Sequence, residues 1–546
     1  MTSESVVTLA DEFWAWRTAT QPDSRDELTR VQRPPDWLPD WSAGAIAARR
    51  AALADFTARH RALDLSGEPV EVQVDGRLLG VALAKVHWEL ELVRGWQRDP
   101  GFYLFQALVP LYLLLLRPPP FDDPRAAAIV GHLRHVPVVL EQARSNLADT
   151  AAAPFVRSAL RLLSEVDGRL AEAMTALAPV LPDRHAAALA EATGAACDAI
   201  KEYRDWLAEH LPSWGDATAV GPAALSYFLH RVALLPYPAQ RLRDMGRQEW
   251  DRAVAAEAIL RRRYRDSPSA AYPADAAEEV SREEAAEYRV RGFCVYRGLL
   301  SQPNPLRHYR FLEMPPYIAP LTWLGHCDDL TSPTRVDEDA VRYVPPPRED
   351  LSYFEAAAAL DPRTAIVHEG VHAQQLAIGW RHKNPARRHF YDSVPNEGLA
   401  FYNEELMLQA GLFDDAPDSA VFVANAMCLR AMRVEVDLGL ALGDLTIEQA
   451  ADHLAEAVPM DRHTAEEEAV FIAANPGQGL SFQIGKLQIL DLLASTARRQ
   501  GPTFDLLEFH DRLWREGNVP LALQRWELLG LRDHLDEADR LAEAGG

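Results

Sequence analysis

Apolar residues recur three or four positions apart along most of the chain, which is the spacing of helices with one buried face. In the first half, proline-rich turns separate these segments. The predicted helices there span residues 9–17, 45–60, 81–96, 126–147, 152–177 and 184–211. Residues 102–116 are apolar almost throughout, but the run is too short to cross a bilayer and contains Gln106 and Pro110. We expect it to form a buried core helix.

The pattern changes after residue 266. Small residues and prolines at 267–273 lie between two charged helical segments, and we place a boundary there. Residues 293–349 are rich in proline and aromatic residues, and the alternation at 341–344 is typical of a strand. Helical spacing marks residues 279–290, 418–442, 446–457, 464–474 and 504–529. The sequence predicts a mainly α protein with an N-terminal helical lobe (1–266) and a second lobe (267–546) that carries a few short strands.

Composition and charge narrow the class of protein. A chain of 546 residues exceeds what one hydrophobic core normally organises. The net charge is −24 and no basic run stands out, which argues against nucleic acid or a membrane as a partner. The four cysteines match no Cys-x-x-Cys pattern, so we expect buried, reduced thiols. The first residues lack the layout of a signal peptide, and we expect a cytoplasmic protein. No signal indicates the oligomeric state.

A His-Glu-x-x-His motif occupies residues 368–372, within a segment of helical spacing. Positions four apart share a helix face, so His368 and His372 would bind one metal ion together. Glu369 lies one step round the helix, where a general base for a metal-activated water belongs. The alternative is two core histidines with a solvated glutamate between them. We favour a zinc site, because this motif is a known zinc signature.

Glu397 is the candidate for a third ligand, since catalytic zinc usually has three protein ligands. It follows His372 by 25 residues and heads a predicted helix that starts at Ser393 and stops at Gly411. Two antiparallel helices joined by a loop would bring Glu397 opposite the two histidines. The alternative is an ordinary carboxylate in the first turn of a helix. Glu404 or Glu405, further along the same helix, could orient a histidine ring.

Four side chains are candidates to stabilise an oxyanion during hydrolysis, namely Tyr402, Tyr391, His389 and Arg433. The sequence does not choose among them. Arg430 lies three residues before Arg433 on the same helix face, and the two could clamp a substrate oxygen. A buried ion pair with a neighbouring helix is an equal alternative.

Gln478 and Ser481 follow Pro476-Gly477 at a turn into a helix. The first backbone N–H groups of such a helix suit an oxygen-rich ligand, so both side chains are candidates for substrate binding. A tight turn beneath a close helix crossing explains the glycines equally well.

A second cluster, His326-Cys327-Asp328-Asp329, contains residue types that bind metals. Consecutive residues rarely converge on one ion, so we expect no second metal site there.

Six segments, in this order, resemble the bacterial family called domain of unknown function 885, which is itself similar to the helical gluzincin metallopeptidases. They are residues 11–17, 309–315, 368–372, 397–404, 476–485 and 504–510. The resemblance implies a two-lobed helical body with a deep cleft, zinc on its floor and hydrolysis of a peptide or amide bond. Two features depart from many members: the His-Glu-x-x-His motif is uninterrupted, and Phe482 stands where tyrosine is common.

The predicted function is therefore zinc-dependent hydrolysis of a short peptide or a small amide by metal-activated water. Two alternatives stay open at this point. One is a zinc enzyme that acts on a non-peptide metabolite in biosynthesis. The other is a non-catalytic helical scaffold that retains the motif.

Overall fold

The computed structural model describes residues 5–24, 32–267, 270–303, 306–325, 327–345, 351–516 and 518–545. They form a mainly α-helical protein, as predicted. The helices before the sheet are α1 (Val6–Thr20), α2 (Ala43–Arg61), α3 (Val70–His87), α4 (Gly95–Arg98), α5 (Pro100–Leu116), α6 (Asp123–Leu147), α7 (Ala153–Leu177), α8 (Ala186–His210), α9 (Pro222–Tyr227), α10 (Ala239–Tyr264) and α11 (Ala276–Arg297).

A small sheet follows, and the remaining chain is helical again. The strands are β1 (Tyr309–Glu313), β2 (Asp328–Asp329) and β3 (Ala340–Val344). The later helices are α12 (Tyr353–Leu360), α13 (Arg363–Gly379), α14 (Pro385–Arg388), α15 (Ser393–Ala410), α16 (Pro417–Leu442), α17 (Ile447–Ala457), α18 (Arg462–Ala474), α19 (Gln478–Gln500), α20 (Leu506–Glu516), α21 (Leu521–Leu529) and α22 (Asp533–Ala544).

Short polar side chains begin many of these helices. Ser5, Ser42 and Asp122 each accept a hydrogen bond from a backbone N–H in the first turn of α1, α2 and α6. The apolar run predicted as a core helix is α5, and most of its side chains are buried. No single helix in the described ranges is long and apolar enough to cross a membrane; only Val70–Arg98 together with Pro100–Leu116, bent by 99°, meets those limits.

The sheet has the strand order β1-β3-β2. β1 and β3 are parallel, with Tyr309 opposite Ala340, and β2 is antiparallel to β3, with Asp328 opposite Arg342. The alternation at 341–344 therefore predicted a real strand. This pairing brings together side chains from three separate segments of the chain, all of which precede the histidine motif in sequence.

Hydrophobic clusters join early and late parts of the chain. One cluster combines α5 to α8 with buried residues from 317–343, and another combines α1 and α3 with α21. The proposed boundary at 267–273 includes Pro268 and Ser269, which lie outside the described residues, and the two-lobed division stays a prediction. All four cysteines are free; Cys327 is half-buried and the other three are buried, as expected.

Helices α15 and α19 cross so closely that two glycines meet at the contact. A Cβ atom on Gly398 would lie 2.5 Å from the Cα of Gly485, and one on Gly485 would collide with the carbonyl oxygen of Val394. These neighbours are backbone atoms, which cannot turn away as a side chain can. The crossing therefore requires glycine at both positions, and it fixes the helix that carries Glu397.

We expect Gly485→Ala to lower the free energy of unfolding by about 3 kcal/mol, because the helices must separate to admit the methyl group. Denaturant unfolding measures this. Gly168→Ala is the matched control, since a Cβ there meets nothing within 4 Å; alanine should be neutral or stabilise by up to about 1 kcal/mol. Equal stability of the two variants would contradict the close crossing.

Candidate metal centre

Two helices carry the predicted metal ligands, and local signals set where each begins. The Asp361 carboxylate accepts a hydrogen bond from the backbone N–H of Arg363 at the start of α13 (3.1 Å), just before the histidine motif. Asp392 caps α15 in the same way through the N–H of Val394 (3.1 Å), and Gly411 ends that helix at a φ of 91°. The predicted helix pair is present.

The side chains of His368, His372 and Glu397 converge between these helices. The Oε2 atom of Glu397 lies 3.3 Å from Nε2 of His368 and 3.6 Å from Nε2 of His372. The three ligand atoms all lie within 4.8 Å of one another, and in the part of the chain that the structure describes no other His, Cys, Asp and Glu side chains form such a group.

These three groups fit a zinc ion. Tetrahedral zinc with ligands about 2.0–2.1 Å away holds neighbouring ligand atoms roughly 3.3 Å apart, close to the two distances seen here. The Oε2 atom of Glu397 is buried, and its contacts with the two imidazoles, the nearest that the structure describes, lack good hydrogen-bond geometry. A buried carboxylate oxygen that is satisfied so weakly is costly, and a cation between it and the imidazoles would remove that cost.

Glu404 orients one of the two imidazoles. Its Oε1 atom lies 2.6 Å from Nδ1 of His368, which leaves Nε2 of that ring facing Glu397. Burial lowers the pKa of His368, but the carboxylates of Glu397 and Glu404 outweigh it and raise the pKa to about 10. His372 differs, since its Nδ1 atom has no hydrogen-bond partner among the described residues. Of the two glutamates predicted to orient a histidine ring, Glu404 is the one that contacts His368.

Glu405 belongs to a different network. Its carboxylate accepts hydrogen bonds from Lys486 (2.8 Å) and from both terminal nitrogens of Arg252 (2.8 and 3.0 Å). Burial alone would raise the pKa of Glu405, but these cations hold it at about 2. This buried ion pair joins α15 to α10 and α19 rather than to the histidines.

The metal-ligand group lies on a cavity of about 1200 Å³. Glu369, Arg430, Arg433 and Gln478 also line it, and their predicted roles towards a substrate stay predictions. Phe482 lies beside the ligands, with its ring nearly parallel to that of His368 at 6.1 Å.

The two arginines lie over the ring of Phe482. The guanidinium carbons of Arg430 and Arg433 are 4.7 and 5.0 Å from its centroid. Arg430 also donates to Glu404 at 3.4 Å, and Arg433 pairs with Glu468 at 2.6 Å. The ion-pair alternative for both arginines is therefore correct, and both also face the cavity.

Four other predicted residues do not line this cavity. The hydroxyl of Tyr402 is hydrogen-bonded to Nε2 of His510 at 2.7 Å, and the hydroxyl of Ser481 donates to the carbonyl of Gln478 at 2.6 Å. The hydroxyl of Tyr391 accepts a hydrogen bond from Asn396 (3.3 Å), and the ring of His389 packs against Trp14 and Trp380. Each of the four faces the helix packing instead of the cavity, which corrects where the sequence had set them.

The cavity wall contains a polar group that sequence reasoning missed. Tyr309 on β1, Asp328 on β2 and Arg342 on β3 all line the cavity. Tyr309 donates to Asp328 in a short hydrogen bond, and its hydroxyl accepts from Arg342 at 3.3 Å. Burial lowers the pKa of Arg342, but negative groups that include Glu369 raise it above its usual value, so this group lies near the predicted base.

Asp328 and Asp329, in the segment where no second metal site is expected, each have a protein partner. Asp328 is bound to Tyr309, and Asp329 forms an ion pair with Arg335 at 2.6 Å. His326 lies outside the described residues.

The sequence of this chain also matches a known protein family. Residues 27–528 match the family described as bacterial protein of unknown function, DUF885. The chain belongs to the DUF885 family. No curated protein matches this DUF885 protein in sequence.

Two solved structures share the fold of this DUF885 protein. One is described as a "putative lipoprotein of unknown function" from Shewanella oneidensis; it has a TM-score of 0.69 and 16% identity, and the match covers 96% of this chain and all of the other. The second is a "putative lipoprotein" from Colwellia psychrerythraea, with a TM-score of 0.76, 16% identity and coverage of 99% and 100%. These descriptions agree poorly with the predicted cytoplasmic location, which stays a prediction.

In this DUF885 protein, Glu404→Gln should weaken zinc binding by about 10- to 100-fold, because the ring of His368 loses its charged partner. Competition with a coloured chelator measures the affinity. Glu405→Gln is the matched control: it changes the adjacent residue in the same way, but its carboxylate contacts Lys486 and Arg252. If both variants bind zinc as the parent does, Glu404 has no orienting role.

Proposed function

We propose that this DUF885 protein is a zinc-dependent hydrolase that cleaves peptide or amide bonds in short peptides or small amides. The observation that carries the proposal is the convergence of Nε2 of His368, Nε2 of His372 and Oε2 of Glu397 on the wall of a large cavity. Two imidazoles and one carboxylate are the ligand set of known zinc peptidases. The family assignment itself gives no activity. The activity proposed here is that of the helical gluzincin metallopeptidases, which the sequence resembles.

His368, His372 and Glu397 would hold the zinc ion. A zinc ion bound there supplies Lewis acidity, which lowers the pKa of a water molecule towards about 7 and polarises a carbonyl group. Glu369 follows His368 directly and lines the same cavity. We assign it the role of general base: it accepts a proton from the attacking water and donates it to the leaving nitrogen.

Arg433 is our choice for the residue that stabilises the oxyanion. Tyrosine is common at position 482 in the resembling family, but this chain has Phe482, whose ring carries no donor. Arg433 lies over that ring, 5.0 Å from its centroid, and its guanidinium interacts with Glu397. A buried cation next to the ligands favours the negative charge that develops on the carbonyl oxygen.

The size of the cavity favours substrates larger than a single amino acid. Its volume of about 1200 Å³ exceeds the roughly 300–1,000 Å³ of sites for drug-sized ligands. A peptide of a few residues fits this volume, whereas a folded protein does not enter it.

A substrate screen with the zinc-loaded protein tests the proposal. One arm uses a library of short peptides and the other uses amide-bearing metabolites, and mass spectrometry identifies each pair of products whose masses sum to the substrate plus water. We expect cleavage in the peptide arm, and we expect it to stop when a chelator removes zinc. Zinc-dependent products in the metabolite arm alone would favour the small-metabolite alternative. A protein that binds no zinc and cleaves neither set would contradict the proposal.

A further inference from the structure

Two largely buried carboxylates on α11 face the cavity, and the structure describes no hydrogen bond to either. Glu279 and Glu283 lie one helical turn apart, line the cavity and are 9% and 8% exposed. Neither side chain forms a hydrogen bond or an ion pair with any residue that the structure describes. Buried carboxylates are normally paired, so two adjacent unpaired ones require an explanation.

The surroundings of this pair carry an excess of negative charge. Glu283 interacts with Asp328 and Arg342, and Glu279 interacts with Arg282 and Glu355, so four carboxylates in this region face two arginines. Burial and the neighbouring acids Glu279 and Asp328 raise the pKa of Glu283 to about 7, although Arg342 opposes this. Since Arg342 also interacts with Glu369, this acidic region adjoins the proposed general base.

The two carboxylates do not belong to a group of three converging metal ligands. Within the described ranges, the group formed by His368, His372 and Glu397 is the one set of potential ligands whose atoms come within 4.8 Å of one another. The carboxylates of α11 are therefore too dispersed for a three-ligand ion. An ammonium group has three donors that point in different directions, and it can contact separate carboxylates at once.

We propose that Glu279 and Glu283 form a subsite that binds a positively charged nitrogen of the substrate, an ammonium group held next to the bond that is cleaved. This proposal rests on the proposed hydrolase function and names the class of substrate for it. The ammonium group is either the free amino terminus of a peptide or a lysine side chain. Either supplies the charge-assisted donors that the two buried carboxylates lack.

Binding measurements separate this subsite from turnover. The zinc-loaded Glu369→Gln variant is titrated calorimetrically with tetra-alanine amide, with its N-acetyl form, and with the N-acetyl amide in which one alanine is replaced by lysine. We expect one cationic peptide to bind at least tenfold more tightly than the neutral N-acetyl peptide, and its identity tells which nitrogen is recognised. Adding Glu279→Gln and Glu283→Gln should reduce this preference to less than threefold. Equal affinity for all three peptides, no detectable binding, or an unchanged preference in the doubly substituted subsite would overturn the proposal.

Two further measurements separate a loss of peptide binding at the subsite from a loss of protein stability. Glu283→Gln should retain zinc and keep or raise the melting temperature of the ligand-free protein, because it removes a buried carboxylate for which the structure describes no hydrogen bond or close ion pair. A clear drop in melting temperature would instead indicate a structural role and contradict the subsite. Glu467→Gln, which changes an exposed carboxylate on the same cavity, is the control and should leave the preference unchanged. If the parent protein binds zinc and the cationic peptide but cleaves nothing, the hydrolase function fails while the subsite stands.

Discussion

Replacing Glu369 with glutamine is expected to lower kcat by about 10²- to 10⁴-fold, which is the usual contribution of a general base. Glutamine has the same shape but cannot accept the proton of the attacking water. Glu369 is not among the three converging ligands, so zinc content should stay at that of the parent. KM should change little, since binding precedes proton transfer. The measurement combines steady-state kinetics, on a substrate found in the screen, with metal analysis of the same preparation.

Glu467→Gln provides the control for this variant. Glu467 lines the same cavity, and its exposed carboxylate is not one of the converging groups. Its substitution should leave kcat within about twofold, in the range of surface changes. Full activity of Glu369→Gln would remove Glu369 from the mechanism, whereas loss of zinc from that variant would mean that Glu369 acts as a ligand.

The second large effect is expected from Glu397→Gln. This change removes the carboxylate whose Oε2 atom lies 3.3 and 3.6 Å from the two imidazoles. Zinc affinity should fall by more than the roughly 100-fold upper value for an orienting residue, because a ligand itself is lost. Chelator competition gives the affinity, and circular dichroism checks that the helices are retained.

Glu397→Asp accompanies this variant as a control for charge. It keeps a carboxylate but shortens the side chain by one methylene, so we expect an affinity between those of the parent and of Glu397→Gln. Parent-like zinc binding by Glu397→Gln would show that the third ligand lies elsewhere. Hydrolysis by a protein that has lost its zinc would contradict the proposed chemistry.

The metal-ligand group could be predicted because helix geometry alone determines most of it. His368 and His372 are four residues apart, and four residues are about one turn. Glu404 follows Glu397 by seven residues, which is nearly two full turns, so both side chains lie on one helix face within about 20°. The sequence thus predicted which residues of α13 and α15 face each other once the helices are paired.

The same helix geometry explains why Tyr402, a predicted oxyanion donor, does not line the cavity. Tyr402 follows Glu397 by five residues, which turns it about 140° around the helix axis. If Glu397 faces the histidines, Tyr402 must face the opposite packing surface, where it meets His510. Ser481 differs, because its hydroxyl bonds to a carbonyl of its own helix.

The polar group that the three strands bring to the cavity wall could not be predicted from the sequence. Alternation predicted a strand at 341–344, but not its partner or its register, and a slip of one residue moves each side chain to the other face. Arg342 reaches the hydroxyl of Tyr309 because β3 pairs in parallel with β1 and runs antiparallel to β2. These pairings depend on tertiary contacts between segments that lie far apart in sequence, and the carboxylates of Glu279 and Glu283 reach the cavity through the same kind of contact.

X-ray absorption at the zinc edge, on protein loaded with one equivalent of zinc, reports the ligands of the proposed metal centre themselves. We expect a four-coordinate zinc with nitrogen and oxygen ligands at about 2.0–2.1 Å, and with the scattering of two imidazoles. Loading Glu397→Gln in the same way should give little bound zinc. A parent protein that takes up no zinc, or a spectrum with sulfur ligands or without imidazole scattering, would contradict a metal centre formed by His368, His372 and Glu397.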